Sequence, residues 1–146
     1  MIARGKAQRE SPVPIEIRLL AFSILLGIVQ VFAAAMAATR QRPGGLAWAA
    51  GSRDAPQPAV TGVASRLDRA SKNFLETFPF FAAAVVAAAA LDRHNGWIVT
   101  GAHCYFWGRL AYLPLYAAGV PWVRSIAFGT GIIGIVLVVI GLFARP

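Results

Sequence analysis

Charge is scarce in this chain. Of 146 residues only 14% are Asp, Glu, Lys or Arg, where a soluble domain carries about a quarter. Acidic side chains number six against fourteen basic ones, for a net charge of +8 and a pI near 11.1. Cysteine is scarcer still: Cys104 stands alone, which excludes an intrachain disulfide. It lies in an apolar stretch and reads as a small packing residue, with a reactive thiol as the alternative. The two histidines, His94 and His103, make no metal-ligand spacing with it, so no metal is expected. A basic balance can mean nucleic acid. Here the cations sit at the ends of apolar runs, as they do beside membrane spans, where they also attract anionic headgroups. No nucleic-acid partner is expected.

Apolar sequence is abundant instead. Hydrophobic residues make up 58% of the chain and the mean hydropathy is +0.61. A span needs about 20 mostly apolar residues, and four can be drawn, near 15–39, 73–91, 97–118 and 122–144. An open strand edge cannot sit in hydrocarbon. The expected fold is therefore an all-α integral membrane protein, a four-transmembrane-helix bundle in a single domain over residues 1–146. Met1 to Glu10 is basic and Leu19 to Ala38 is apolar, which fits a signal peptide. The length of the apolar run, and Arg40 and Arg42 directly after it, favour an uncleaved first span.

The connections differ. Gln41 to Gly62 is rich in Gly and Pro and reads as a long loop. The second helix is expected from near Val63, so that Arg66 and Arg69 ride on a helical extension. Asp92 to Gly96 is a tight turn. Gly119-Val-Pro121 is tighter, a glycine stop followed by proline at a first helical position. Pro79 and Pro114 should kink their helices and each free a carbonyl. Small residues crowd the second span (Ala82 to Ala84, Ala87 to Ala90) and recur on the fourth (Ala127, Gly131, Gly134). They suit close packing, within one bundle or between subunits. An even number of spans puts both termini on one side. Arg4, Lys6, Arg9, Arg18, Arg93 and Arg145 then oppose Arg40, Arg42, Arg53, Arg66, Arg69, Lys72 and Arg124, too even a split to set orientation.

Polar groups punctuate this apolar frame. Arg66, Arg69, Asn73 and Glu76 are three and four apart and share one helix face at the mouth of the second span. Groups of this kind are costly at that depth and normally face protein or a wet cavity, so a site is suspected. Tyr105, Arg109, Tyr112 and Tyr116 form a second stripe on the third span. Arg109 lies inside the expected hydrocarbon and needs a partner. Glu76 at similar depth is the candidate, either as a structural ion pair or with both residues serving a ligand. Arg124 opens the fourth helix, as an interface anchor or a functional cation.

These residues carry a resemblance. Arg69-x-x-x-Asn73-x-x-Glu76-x-x-Pro79, Arg109-x-x-Tyr112-x-x-x-Tyr116, Arg124-Ser125 and Arg40-x-Arg42, in that setting, resemble the MAPEG family (membrane-associated proteins in eicosanoid and glutathione metabolism). The likeness runs from about residue 15 to 144. The segments Asn-Phe-Leu-Glu-Thr-Phe-Pro and Tyr-Leu-Pro-Leu-Tyr-Ala look most like its bacterial branch. The resemblance implies a homotrimer in a bacterial inner membrane, multi-pass, with the first loop cytoplasmic. It also implies glutathione bound as co-substrate in a cleft between subunits. Arg69, Asn73 and Glu76 would hold the peptide, with Arg40, Arg109, Tyr112 and Tyr116 as further binding residues and Arg124 activating the thiol. The second substrate would be a lipophilic electrophile arriving from the membrane lipid. The short turn between Tyr116 and Arg124 departs from the family pattern, as does the Gly/Pro loop.

The chemistry is consistent with that implication. Glutathione has two carboxylates and an ammonium. Arginine forks bind carboxylates bidentately, and a carboxylate suits the ammonium. A free thiol has a pKa of about 8.5, and a neighbouring cation lowers it and favours thiolate. The expected function is a glutathione-dependent membrane transferase or peroxidase. Two alternatives stand beside it: a small proton-coupled membrane exporter working through Glu76, and a protein of this fold without catalytic activity.

Overall fold

The computed structural model describes residues 12–52, 54 and 56–144. The basic stretch Met1 to Glu10, Arg53 and Arg145, which enter the signal and charge-balance arguments, lie outside the described residues. Five helices follow in chain order: α1 (Ile15–Gln41), α2 (Gly45–Ala50), α3 (Gly62–Ala90), α4 (Gly96–Ala118) and α5 (Pro121–Phe143). No strand occurs among the described residues. α1, α3 and α5 are long and apolar enough to cross a membrane. α4 matches α5 in length, but His103, Arg109 and its polar-tipped rings dilute its apolar character.

Several helix ends have a local cause. Glu16 in the first turn and Arg40 in the last turn of α1 complement the helix dipole. Asn95 caps α4: its Oδ1 accepts from the backbone N–H groups of Trp97 and Ile98. Gly119 ends α4 at φ 79°, a left-handed conformation that glycine adopts without a Cβ penalty. There the Gly119 and Val120 N–H groups bond back to the Tyr116 and Leu115 carbonyls. Pro121 then opens α5, where its missing N–H costs nothing. The helices run on through Pro79 and Pro114.

The Gly/Pro stretch is not simply a loop. Gly45 to Ala50 forms α2, because a Leu-Ala-Trp-Ala-Ala run favours helix once Gly44 supplies a left-handed start. Its ends are clasped where Gln41 Nε2 donates to the Thr61 carbonyl and the Thr61 N–H donates to Gln41 Oε1, at 3.2 and 3.0 Å. The clasp ties the end of α1 to the start of α3. The two helices run antiparallel, so the 41–61 pairing and the Gly27–Phe74 packing lie in one register.

The interior is close-packed rather than merely apolar. Leu19, Phe81, Val85, Ile98, Tyr105 and Val138 form the main core cluster, with Tyr105 stacked on Phe81 at 3.9 Å between centroids. A smaller cluster of Ala70, Tyr112 and Ala127 sits at the end near α2. Large apolar side chains such as Phe22, Leu25, Phe32, Phe80 and Ile133 face outward, as expected where lipid is the solvent. Without a hydrophobic force between helices, close approach supplies the attraction. A Cβ on Gly101 would stand 2.6 Å from the Gly134 carbonyl oxygen, and one on Gly134 would stand 2.5 Å from the Tyr105 nitrogen. Ala84, Ala88, Ala127, Gly131 and Gly134 are buried inside this one chain. The small residues therefore serve packing within the bundle at these positions, while Ala83, Ala89 and Ala90 face outward.

Candidate functional site: a cationic, tyrosine-lined cleft

The antiparallel arrangement brings the start of α3, the end of α4 and the start of α5 to the same end of the bundle. Asn73, Tyr112, Tyr116, Arg124, Ser125 and Phe128 line a cleft there with a cavity volume of about 280 Å³. Tyr116 is the centre of its rim. The Arg69 Nε–H donates to the Tyr116 hydroxyl at 3.2 Å, and the Arg124 guanidinium carbon lies 4.8 Å from the centroid of the same ring. Arg69 also donates to Ser65 Oγ at 2.6 Å. Tyr112 follows one turn below, 5.2 Å from Tyr116 by ring centroids.

Arg124 stands apart in one respect. Its partner is the face of an aromatic ring, and it makes no hydrogen bond or ion pair among the described residues. A guanidinium carries five N–H donors. All five remain available to an incoming anion, while the ring contact still fixes where the cation sits. Four residues on, Phe128 also lines the cleft. The sequence pattern singles out Arg124-Ser125 but not Phe128. The signal was available: 124 and 128 lie one helical turn apart on the face that looks towards α4.

Several suspected residues are placed differently. Arg109 is fully buried and does not line the cleft. Its partner is not Glu76, because the Arg109 Nη1 donates to Asn73 Oδ1 at 2.8 Å. Glu76, three residues on from Asn73, is exposed and makes no hydrogen bond or ion pair among the described residues. Arg66 is committed elsewhere. Its Nε donates to the Ala117 carbonyl at 2.8 Å and caps the end of α4, where a cation also suits the helix dipole. Arg40 is exposed at the end of α1 and is not among the cleft-lining residues. Among the described residues no group of three or more His, Cys, Asp or Glu side chains could hold a metal.

A membrane-embedded helical protein with a cationic, aromatic cleft at one end is the class that this fold and site define. The family model described as "MAPEG family" matches residues 19–144, nearly the whole chain, and the chain belongs to that family. No curated protein matches the chain, and no solved structure does.

Proposed function

We propose that this protein is a glutathione-dependent membrane transferase or peroxidase that acts on a lipophilic electrophile. The observation that carries the reading is Arg124, held on the Tyr116 ring with every donor uncommitted at the edge of a cleft. Membership of a family generally linked to glutathione supports it. Arg69, Asn73, Tyr112 and Tyr116 bind the peptide, whose carboxylates suit guanidinium and amide donors. Arg124 stabilises the thiolate, lowering the cost of losing the thiol proton to water. The thiolate then attacks an electrophilic carbon to form a C–S bond and expel a leaving group. With a peroxide it attacks the terminal oxygen, the O–O bond breaks and the other oxygen takes a proton from water and leaves as the alcohol. A second glutathione thiol then displaces the hydroxyl of the sulfenic acid, giving the disulfide and water.

What a single subunit leaves open supports a homotrimeric assembly. Glu76 and Arg69 are exposed on α3, and a carboxylate at membrane depth facing lipid is costly. A homotrimer that seats a neighbouring subunit against this face, and against Arg40, lets Glu76 meet the peptide ammonium across the interface. α4 crosses the bilayer beside α5, with Arg109 shielded by protein. In this reading the chain is a multi-pass protein of a bacterial inner membrane with its first loop in the cytoplasm.

The test is equilibrium glutathione binding to the detergent-purified protein, followed through thiolate absorbance near neutral pH. Wild type should bind and show the thiolate signal, and Arg124→Ala should bind but lose it. Absence of binding at millimolar glutathione overturns the proposal. A second reading rests on the exposed, unpaired Glu76 carboxylate: a proton-coupled exporter. It requires proton-driven efflux from vesicles that Glu76→Gln abolishes.

A further inference from the structure

We infer that Arg109 is a positioning residue that locks the Asn73 side chain as a hydrogen-bond donor towards the cleft, so that this subsite takes a carboxylate or another acceptor group. The inference deepens the glutathione reading and rests on it for the identity of the ligand, though not for the geometry.

The geometry leaves one orientation. Arg109 is 0% exposed. Its guanidinium carbon lies 4.9 Å from the Phe128 centroid, 5.6 Å from that of Tyr105 and 5.7 Å from that of Tyr112. Gly131 makes room for it on α5, since a Cβ there would stand 3.1 Å from the Arg109 Nε. No carboxylate pairs with it among the described residues. Its polar contact is the bond to Asn73 Oδ1 at 2.8 Å, and its Nε and Nη2 are buried without a hydrogen-bond partner. A guanidinium has donors and no acceptor. The Asn73 amide must therefore turn its oxygen to Arg109, a choice set by chemistry rather than by how an amide is drawn. The Nδ2 group is left with its two N–H bonds, on a half-buried residue that lines the cleft.

The residue type points the same way. If position 73 served only to satisfy Arg109, aspartate would make the stronger, charge-assisted bond and would neutralise a buried cation. Asparagine forgoes that and gains a donor on its far side. The low-dielectric surroundings of Arg109 also strengthen a bond that the polarised amide makes to an anion.

Three substitutions in the full-length protein test this. Asn73→Asp should keep or raise thermal stability, because the Arg109 bond becomes an ion pair, yet weaken glutathione binding by tenfold or more. Asn73→Ala, which adds no repelling charge, should weaken binding by about tenfold. Arg109→Met frees the amide to flip and should cost about tenfold alone but nothing further when Asn73→Ala is already present. If Arg109→Met does not fold, Arg109→Lys keeps a donor-only partner and should retain most of the affinity. A ligand-independent readout is the Asn73 side-chain amide resonance in the 15N-labelled protein. Acetate should shift it in wild type and not in Arg109→Met or, in its place, Asn73→Gln, which moves the amide by a methylene. Wild-type affinity in Asn73→Asp, or additive losses in the double variant, would overturn the inference while leaving the glutathione reading intact. An acetate shift in a protein that fails to bind glutathione would do the reverse.

Discussion

The two ends of the bundle use polar side chains in opposite ways. At the end holding the start of α1, the α3–α4 turn and the end of α5, most are committed. Arg18 Nε donates to the Val13 carbonyl, His94 Nδ1 meets Glu16 Oε1 at 2.8 Å, and Arg93 Nη1 reaches the Ala144 carbonyl. Asn95 spends its oxygen on the cap of α4 and its Nδ2 on the Gly141 carbonyl at 2.9 Å. At the other end Arg66 and Gln41 are committed, but Arg124 rests on a ring, Asn73 keeps two donors and Glu76 keeps its carboxylate. The first arrangement closes helix ends whose backbone groups need partners. The second holds Arg124 in place without using up its donors, which is the condition for binding something else. Similar residue types therefore make scaffold at one end and site at the other.

Substitutions can break or sharpen this contrast. The largest effect is expected on the α4–α5 seam. Gly134→Ala forces a Cβ to within 2.5 Å of backbone and should cost about 3 kcal/mol or more, seen as loss of the folded species in thermal denaturation. Gly129→Ala, which meets open space, should be neutral or stabilise by up to about 1 kcal/mol. Next comes Arg124→Ala. Turnover of glutathione with a model electrophile should fall about a hundredfold, with stability changed by no more than about 1 kcal/mol. At the committed end the pattern should invert: Asn95→Ala should lower stability by about 1–2 kcal/mol and leave glutathione affinity unchanged. The smallest effect is expected for Lys72→Ala. Its ion pair with Asp68 at 2.8 Å is solvent-exposed and one turn apart, worth about 0.3 kcal/mol. An Asn95→Ala variant that lost glutathione binding at full stability would erase the distinction between the two ends.

Much of the architecture was legible because lipid leaves few options for a polar backbone. The apolar runs, the Gly119-Val-Pro121 stop and the tight turn from Asp92 to Gly96 each point to one local structure. α2 was missed because Gly44 and Gly45 read as breakers, whereas a left-handed glycine also starts a helix. The site was legible as a set of residues and not as a geometry. Spacing puts Arg66, Arg69, Asn73 and Glu76 on one face, yet Arg66 reaches the end of α4 and Glu76 is left exposed. A face of an isolated helix is broader than the strip a neighbouring helix covers. Arg109 was rightly expected to need a partner, but depth alone does not choose between an amide and a carboxylate one turn apart.

By itself, then, the sequence determined that the chain is helical, that its solvent is largely lipid and which family it resembles, since these follow from composition, the absence of alternatives for backbone in hydrocarbon and short local motifs. Only the tertiary structure decided which cations are used up and which remain available. That depends on which helix lies against which and in what rotation: the glycine seam sets α4 against α5, the Gln41–Thr61 clasp sets α1 against α3, and together they leave Arg124 over Tyr116 and Arg109 behind Asn73.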